Sequence, residues 1–169
     1  MNEGQLLAEI KTQLIAQTWT GSSNIVFPTG SVLITANVAE ALKWALNSGL
    51  RTPIALIAPQ GAESDPEHNE EPDWERFDIQ VLLAVVVPGG AVGEEPVIGA
   101  NTTGGSTQSQ GQGIIVVERE FYNAVGKLNQ LEGVILQIRQ RGEEGGAFHP
   151  PSSYIAYRTY RLEAWGTAT

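Results

Sequence analysis

The chain has 169 residues, of which 41% are hydrophobic and 17% charged, a composition that can build a sizeable core and differs from that of disordered proteins. Ten Lys and Arg residues against 19 Asp and Glu residues give a formal net charge of −9, which disfavours a static grip on nucleic-acid phosphates. The absence of cysteine excludes disulfides, thiolate nucleophiles and cysteine-based zinc sites. We expect a single domain over residues 1–169.

Two amphipathic helices are predicted in the first third of the chain. Apolar side chains recur at helical spacing within residues 3–17, with polar side chains on the other faces. A second helix is predicted over about residues 37–48, where Asn37 and Glu40 resemble a capping pair and a glycine ends the apolar pattern. The residues between the two helices are predicted as a loop with a short extended piece near residues 31–34.

Two strands and two polar loops are predicted in the middle of the chain. The run from Pro53 to Ala58 is short, apolar and bounded by turn residues, which is typical of a buried strand. The strand from Trp74 to Val87 first alternates and then becomes continuously apolar, so its second half should lie in the centre of a sheet. The polar stretches at about residues 59–73 and 88–113 are predicted to be flexible loops.

One helix and two strands are predicted in the last third. Apolar residues at helical spacing predict a helix from Ile114 to about Gln130. The segments Val134 to Arg141 and Tyr154 to Trp165 predict two strands that flank a loop over residues 142–153. The predicted order is α-α-β-β-α-β-β. It indicates an α+β fold with a mixed or mainly antiparallel sheet of about four to five strands, packed by helices that we expect on one side.

Known local signatures of catalysis are absent from the sequence. The glycine-rich stretch lacks the ending of a phosphate-binding loop, and no serine lies in a nucleophile elbow. A histidine-based acid or a two-histidine metal site would need His68 and His149 to come together from separate loops. We therefore predict no enzymatic activity, no cofactor and no metal, with a small acidic enzyme or metal-binding domain as the alternative.

Membrane and export signals are also absent. The longest apolar run, Val81 to Val87, is far shorter than the roughly 18 to 20 residues that cross a bilayer. The first five residues lack the basic and apolar regions of a secretory signal. We expect a protein that stays in the cytoplasm where it is made and has no membrane partner.

The order of several segments carries a family resemblance. An N-terminal helix precedes Leu50 to Ile57 and a polar loop, and the long strand Phe77 to Val87, the helix Ile114 to Gln130 and two closing strands that end at Trp165 follow. In this order, over nearly the whole chain, the sequence resembles the tail-terminator family of long-tailed bacteriophages, related to the lambda-type minor tail protein U. The resemblance implies an α+β domain that forms a hexameric ring, caps the tail tube, stops its polymerisation and presents a surface to the head.

The resemblance also implies partners and a location. It implies contacts with the tail tube protein and with head-tail connector or other neck proteins, in a ring through which DNA passes without specific binding. The protein would assemble in the host cytoplasm and end in the neck of the virion. Another phage neck protein, such as a head-completion or head-tail connector component, is the alternative within the same class.

Candidate residues for subunit contacts or the channel come from the charge pattern, because the family provides no residue motif to transfer. We expect the acidic loop to reach a neighbouring subunit or the channel, where an acidic lining would repel DNA. The arginines of the last two strands either pair with acidic loops of a neighbouring subunit or lie on a solvated strand face. The acidic candidates are Glu63, Asp65, Glu67, Glu70, Glu71 and Asp73. The basic candidates are Arg139, Arg141, Arg158 and Arg161.

Overall fold

The computed structural model of the chain describes residues 2–49, 52–64, 74–88, 113–128, 135–149 and 153–167. Within these ranges, residues 62–64, 74, 87–88, 135–137, 139–149, 153–154 and 166–167 are described by their backbone. The described elements are α1 (Glu3–Ala16), β1 (Val32–Ile34), α2 (Val38–Asn47), β2 (Ile54–Ser64), β3 (Trp74–Pro88), α3 (Ile114–Leu128), β4 (Ile135–His149) and β5 (Ser153–Thr167). The fold is α+β, and the predicted order is confirmed, with β1 at the short extended piece expected near residues 31–34.

Asparagine side chains cap the first two helices. The Asn2 side chain accepts a hydrogen bond from the backbone of Gln5 at 2.9 Å, and the Gln5 side chain accepts one from the backbone of Asn2 at 3.0 Å. The Asn37 side chain accepts bonds from the backbone N–H groups of Ala39 and Glu40, at 3.0 and 3.1 Å. A cap of this kind stabilises a helix by typically about 1 kcal/mol, so both helices begin where their sequences provide the acceptor.

One mixed sheet holds the five described strands in the order β1-β2-β3-β5-β4. The pair β1 and β2 is parallel, and the other neighbouring pairs are antiparallel. The central pair runs from Trp74 opposite Thr167 to Pro88 opposite Ser153. The end of β2 and the start of β3 therefore lie at one end of the sheet, and the end of β4 and the start of β5 lie at the other.

The strand predicted to end at Ala58 is longer than expected. It continues to Ser64, with a register shift against β3 between Pro59 and Gly61, where Gly61 has a φ of 137°. A β-bulge accommodates an irregular residue without ending the strand, which is why these turn residues do not close β2. Residues 59–64 of the predicted loop thus belong to β2, and residues 65–73 lie outside the described residues.

The strand predicted to end at Arg141 is also longer. It continues to His149 opposite β5, with register shifts between Ile138 and Gln140 and between Arg141 and Glu144. Most of the loop predicted over residues 142–153 is therefore paired strand, since bulges again absorb the irregular residues. The helix predicted to reach about residue 130 is described as far as residue 128, and residues 129–130, like residues 89–112 of the second predicted loop, lie outside the described residues.

Helices cover both faces of the sheet, so the expectation of helices on one side is wrong. Successive strand residues point to opposite faces: Ala55 and Ile57 pack in the core with α1 and α3, whereas Ile54 and Leu56 pack with α2. The physical reason lies in the second half of β3, which is apolar on both faces and needs a cover on both. The main core includes Leu6, Ile10, Leu14, Phe27, Phe77, Ile79, Phe121, Val125, Tyr160 and Leu162.

We expect Leu14→Ala to lower the free energy of unfolding by about 2–5 kcal/mol, because Leu14 is fully buried in the main core and its truncation leaves a cavity. The matched control is Ile15→Ala on the next residue of α1, whose side chain is 47% exposed and which should change stability by about 0.5 kcal/mol or less. Urea unfolding followed by circular dichroism measures both. Equal losses would contradict the packing of α1 described above.

Candidate functional site

The six acidic candidates lie on β2 or in its connection to β3. Glu63 is on β2, with its backbone opposite Arg76 of β3. The other five, Asp65, Glu67, Glu70, Glu71 and Asp73, lie outside the described residues. A role of these carboxylates in a subunit contact or a channel therefore stays a prediction.

The four arginine candidates do not share one surface. Arg139 and Arg141 lie on β4, an edge strand of the sheet, where the structure describes their backbone. Arg161 on β5 has a side chain that is 48% exposed. Arg158, also on β5, is only 6% exposed and lies inside the protein. Because Arg158 and Arg161 are three residues apart on one strand, their side chains point to opposite faces of the sheet.

Arg158 is thus neither on a solvated strand face nor available to an acidic loop of a neighbouring subunit. Its guanidinium Nη1 donates to the Glu118 carboxylate of α3, and both side chains are largely buried. Removing either partner would leave an uncompensated charge in the interior, which is costly. The pair therefore attaches α3 to β5 within this chain.

The aromatic side chain of Tyr160 lies beside this buried ion pair. The ring of Tyr160 lies 4.9 Å from that of Phe121, measured between centroids. Burial raises the pKa of the Tyr160 hydroxyl well above its ordinary value, the adjacent Glu118 carboxylate raises it further, and Arg158 partly offsets the effect. A phenol with a raised pKa stays protonated at neutral pH, so Tyr160 is a poor base and nucleophile there.

A second buried carboxylate, Glu120, connects the other side of α3 to the segment that follows α1. Its Oε1 accepts the backbone N–H of Thr20 at 2.9 Å, and its Oε2 accepts from the side-chain amides of Gln17 at 3.0 Å and Asn123 at 3.1 Å. Lys127 in turn donates to the Gln17 side chain at 2.7 Å. The network joins the segment that follows α1 to the middle of α3.

The network keeps Glu120 ionised. Burial by itself raises the pKa of this carboxyl, but hydrogen bonds from Thr20, Asn123 and Gln17 favour the charged form, and together they lower the pKa below its ordinary value of 4.5. The donors that stabilise the charge also fix the carboxylate in place. Glu120 is therefore a structural acceptor, and its low pKa makes it unsuited to donating a proton at neutral pH.

Metal and membrane sites receive no support from the part of the chain that the structure describes. Within it, no group of three or more His, Cys, Asp or Glu side chains is placed to hold a metal ion. His68 lies outside the described residues, and His149 is described by its backbone at the end of β4, so the two-histidine alternative stays untested. No described helix is long and apolar enough to span a membrane.

The α2 side of the sheet has an apolar half and a polar half. The half of this side that α2 covers is apolar and includes Leu82, Ala84 and Ile155. Farther along the same strands the side chains become polar or charged, and the described helices pack elsewhere. We call this region the polar half-face and define it by Gln60, Arg76, Asp78, Gln80, Thr159, Arg161, Glu163 and Trp165.

Side chains of the polar half-face bond to one another across strands. Arg161 Nη2 lies 2.5 Å from Asp78 Oδ2, and Gln60 Nε2 donates to Gln80 Oε1 at 3.3 Å. Of the predicted site residues with described side chains, Arg161 alone is in this region. The sequence placed Asp78 and Gln80 on the polar side of their strand, and the alternation along β5 is the signal that would have added Glu163 and Trp165 to them.

Comparisons with known proteins leave the family open. No protein-family model matches the chain, and no curated protein matches its sequence. The tail-terminator resemblance therefore stays a prediction, and function has to be inferred from fold, charge and surface.

We expect Glu120→Gln to destabilise the chain at pH 7 and to have less effect in acid. Because the folded pKa of Glu120 lies below its ordinary value of 4.5, the ionised carboxylate stabilises the fold above pH 4.5, and this contribution is lost as the pH falls through the lowered folded pKa. Urea unfolding of wild type and variant between pH 3 and 7 measures the difference, with the exposed Glu40→Gln as the control. A difference that does not change with pH would refute the assignment.

We expect Arg158→Met to lower the free energy of unfolding by about 3–5 kcal/mol, because it leaves Glu118 buried without its cation. Arg161→Met, on the same strand but at an exposed pair, should cost about 1 kcal/mol or less. The double variant Glu118→Gln/Arg158→Met should cost less than the sum of its single changes, since it removes both charges. Chemical denaturation measures wild type, the single variants Arg158→Met, Arg161→Met and Glu118→Gln, and the double variant. An equal loss for Arg158→Met and Arg161→Met would contradict the distinction between the buried and the exposed pair.

Proposed function

We propose that the chain is a structural protein of a phage virion, of the tail-terminator kind. Copies form a hexameric ring in the host cytoplasm, cap the tail tube, end its polymerisation and present the surface on which the head is joined. The partners are the tail tube protein and the head-tail connector or other neck proteins. DNA passes through the ring without specific binding, and the protein has no catalytic role.

The observation that carries this proposal is the order and length of the elements. The segments in which the sequence resembles the tail-terminator family correspond to α1, β2, β3, α3 and the closing pair β4 and β5. The sheet has helices packed on both faces, and sites that position partners are more precise on strands and helices than on loops. This arrangement supports a protein that works through the geometry of its surfaces.

The sequence between β2 and β3 is strongly acidic. Residues 65–73 contain five acidic residues and no Lys or Arg. In a ring of such subunits, these carboxylates would give a negatively charged surface to a partner or to the channel.

The distribution of charge supports a ring that DNA can traverse. Among residues with described side chains, eight are acidic and seven are basic, so this part of the protein is nearly neutral. Most of the net charge of −9 therefore comes from the rest of the chain, including the acidic stretch between β2 and β3. Carboxylates around a channel would repel phosphates and prevent DNA from sticking.

The absolute mass of the purified protein tests the proposal. Light scattering at several concentrations and two salt concentrations should give a mass near six times that of the 18.1 kDa chain. In a phage that lacks the protein, electron microscopy should show tail tubes of uncontrolled length that are not joined to heads. A protein that is monomeric at every concentration and whose loss leaves tail length unchanged would overturn the proposal.

A chelator provides the control against the metal-binding alternative. It should leave the mass and the melting temperature unchanged if the protein works as a structural ring. A melting temperature that falls on chelation and recovers when a divalent metal is added would instead favour a metal-binding domain.

A further inference from the structure

The outer face of α3 has a line of four exposed residues. Ile115, Arg119, Tyr122 and Gly126 follow one another at spacings of four, three and four residues, which places them along one side of the helix. The exposed fraction is 43% for Ile115 and 41% for Tyr122. We call this line the α3 seam. It is about 16 Å long and has the spacing that residues adopt where two helices pack side by side.

The packing of the chain does not account for the glycine in this seam. Gly126 lies inside α3, where glycine destabilises a helix relative to alanine. A Cβ added to Gly126 would meet no described atom within 4 Å, so the described fold does not require the missing side chain. An exposed helix position without a side chain permits the close approach of another chain. Gly126 thus indicates a contact outside this copy of the chain.

The α3 seam is complementary to itself. The spacing of four, three and four residues is the same in both directions, so a two-fold rotation places one seam antiparallel on the seam of a second copy. Ile115 then lies over the partner's Gly126, and Arg119 lies over the partner's Tyr122. A large apolar side chain meets the residue without one, and a cation meets an aromatic ring, which attracts it. Symmetry makes each contact occur twice.

The two central side chains of the seam already have contacts within the chain. The ring of Tyr122 lies 5.9 Å from that of Phe121 and 6.1 Å from that of Tyr160, measured between centroids. Arg119 Nη2 lies 3.7 Å from Glu120 Oε1, which is longer than a hydrogen bond, and the Arg119 side chain is 64% exposed. None of these contacts uses the exposed part of either side chain.

Charge also permits two copies to meet at α3. Both glutamates of this helix, Glu118 and Glu120, are buried, and its exposed charged residues are Arg119 and Lys127. Copies of a chain with a net charge of −9 repel each other, and this repulsion is weakest where no carboxylates face each other. The contact between copies uses all four residues of the seam, whereas an acidic partner would be matched to Arg119 alone. We therefore take a second copy as the occupant.

We propose that the α3 seam is a contact between two copies of this chain, packed antiparallel with Ile115 of each copy over the partner's Gly126. The contact is small, so the association is weak and depends on concentration. This inference goes beyond the proposed ring, because a ring closes through unlike surfaces whereas this contact joins like surfaces.

Two variants test the contact through the sizes of the side chains. Gly126→Phe fills the space over which Ile115 lies, and Ile115→Ala removes the side chain that occupies this space. Each variant alone should associate at least about tenfold more weakly than wild type, because the two seams no longer fit each other. An equimolar mixture should recover association as mixed pairs, because the added phenyl ring then lies over the shortened side chain and the other end of the contact is unchanged.

Native mass spectrometry and sedimentation velocity at increasing concentrations measure the outcome, since the two variants differ in mass. Ala39→Phe, at an exposed position of α2, is the matched control for an added aromatic side chain and should associate like wild type. Gly126→Leu replaces Gly126→Phe if that variant fails to fold. Leucine favours a helix over glycine, so this variant should raise the melting temperature while it weakens association. Circular dichroism checks folding in each case.

The outcomes separate this contact from the proposed ring. Association of wild type that both variants weaken and the mixture restores supports the contact, whether or not a ring also forms. A ring that neither variant alters overturns the contact and leaves the ring intact, and weakened association that the mixture does not restore also overturns the contact. Pairs that the variants separate, without any larger assembly of wild type, support the contact and overturn the ring. A wild-type monomer at all concentrations overturns both.

Discussion

β3 and β5 pair over fifteen residues, and the positions of the other elements depend on this pair. Because successive side chains of a strand point to opposite faces of the sheet, one set of side chains faces α1 and α3 and the other set faces α2. In β3 the odd-numbered residues from Phe77 to Val85 belong to the main core. Among the even-numbered residues with described side chains, Arg76 and Asp78 come first and are charged, whereas Leu82, Ala84 and Val86 come last and are apolar. One strand thus specifies both a half that a helix covers and a polar half.

The position of α3 depends on two buried carboxylates that point in different directions. Glu118 and Glu120 are two residues apart, which corresponds to about 200° around a helix, so they lie on nearly opposite sides. One pairs with Arg158 of β5, and the other accepts bonds from Gln17 and Thr20 beyond α1. Hydrophobic contacts alone tolerate sliding of a helix over its neighbours. Charged groups with specific donors on two sides determine where α3 sits along its axis.

Much of this fold could be predicted from the sequence because periodicity reports which faces are buried. The alternating and then continuous apolar pattern of β3 was identified correctly, and its continuous half already implied a cover on both faces. The expectation of helices on one side overlooked that implication. The ends of β2 and β4 were placed too early because Pro59, Gly61 and Gly142 are turn residues, and a sequence does not distinguish a turn from a bulge whose partner strand lies far along the chain.

The candidate site was harder to predict, and for a different reason. Glutamate is almost always on the surface, so the local sequence around Glu118 and Glu120 does not indicate that they are buried. Arg158 was grouped with Arg161 because both are basic and close in sequence. Their separation by an odd number of residues was the available signal, and it places one arginine inside the protein and the other on the polar half-face.

Charge limits the surfaces through which copies of this chain can meet. A protein with a net charge of −9 opposes its own assembly unless the excess negative charge is kept out of the contacts. Here the elements with described side chains are nearly balanced, and the largest uninterrupted acidic stretch lies in one connection between two strands. The elements that carry the fold are therefore free to carry contacts as well. The long-range repulsion that discourages wrong partners, including DNA, comes mainly from the remaining residues of the chain.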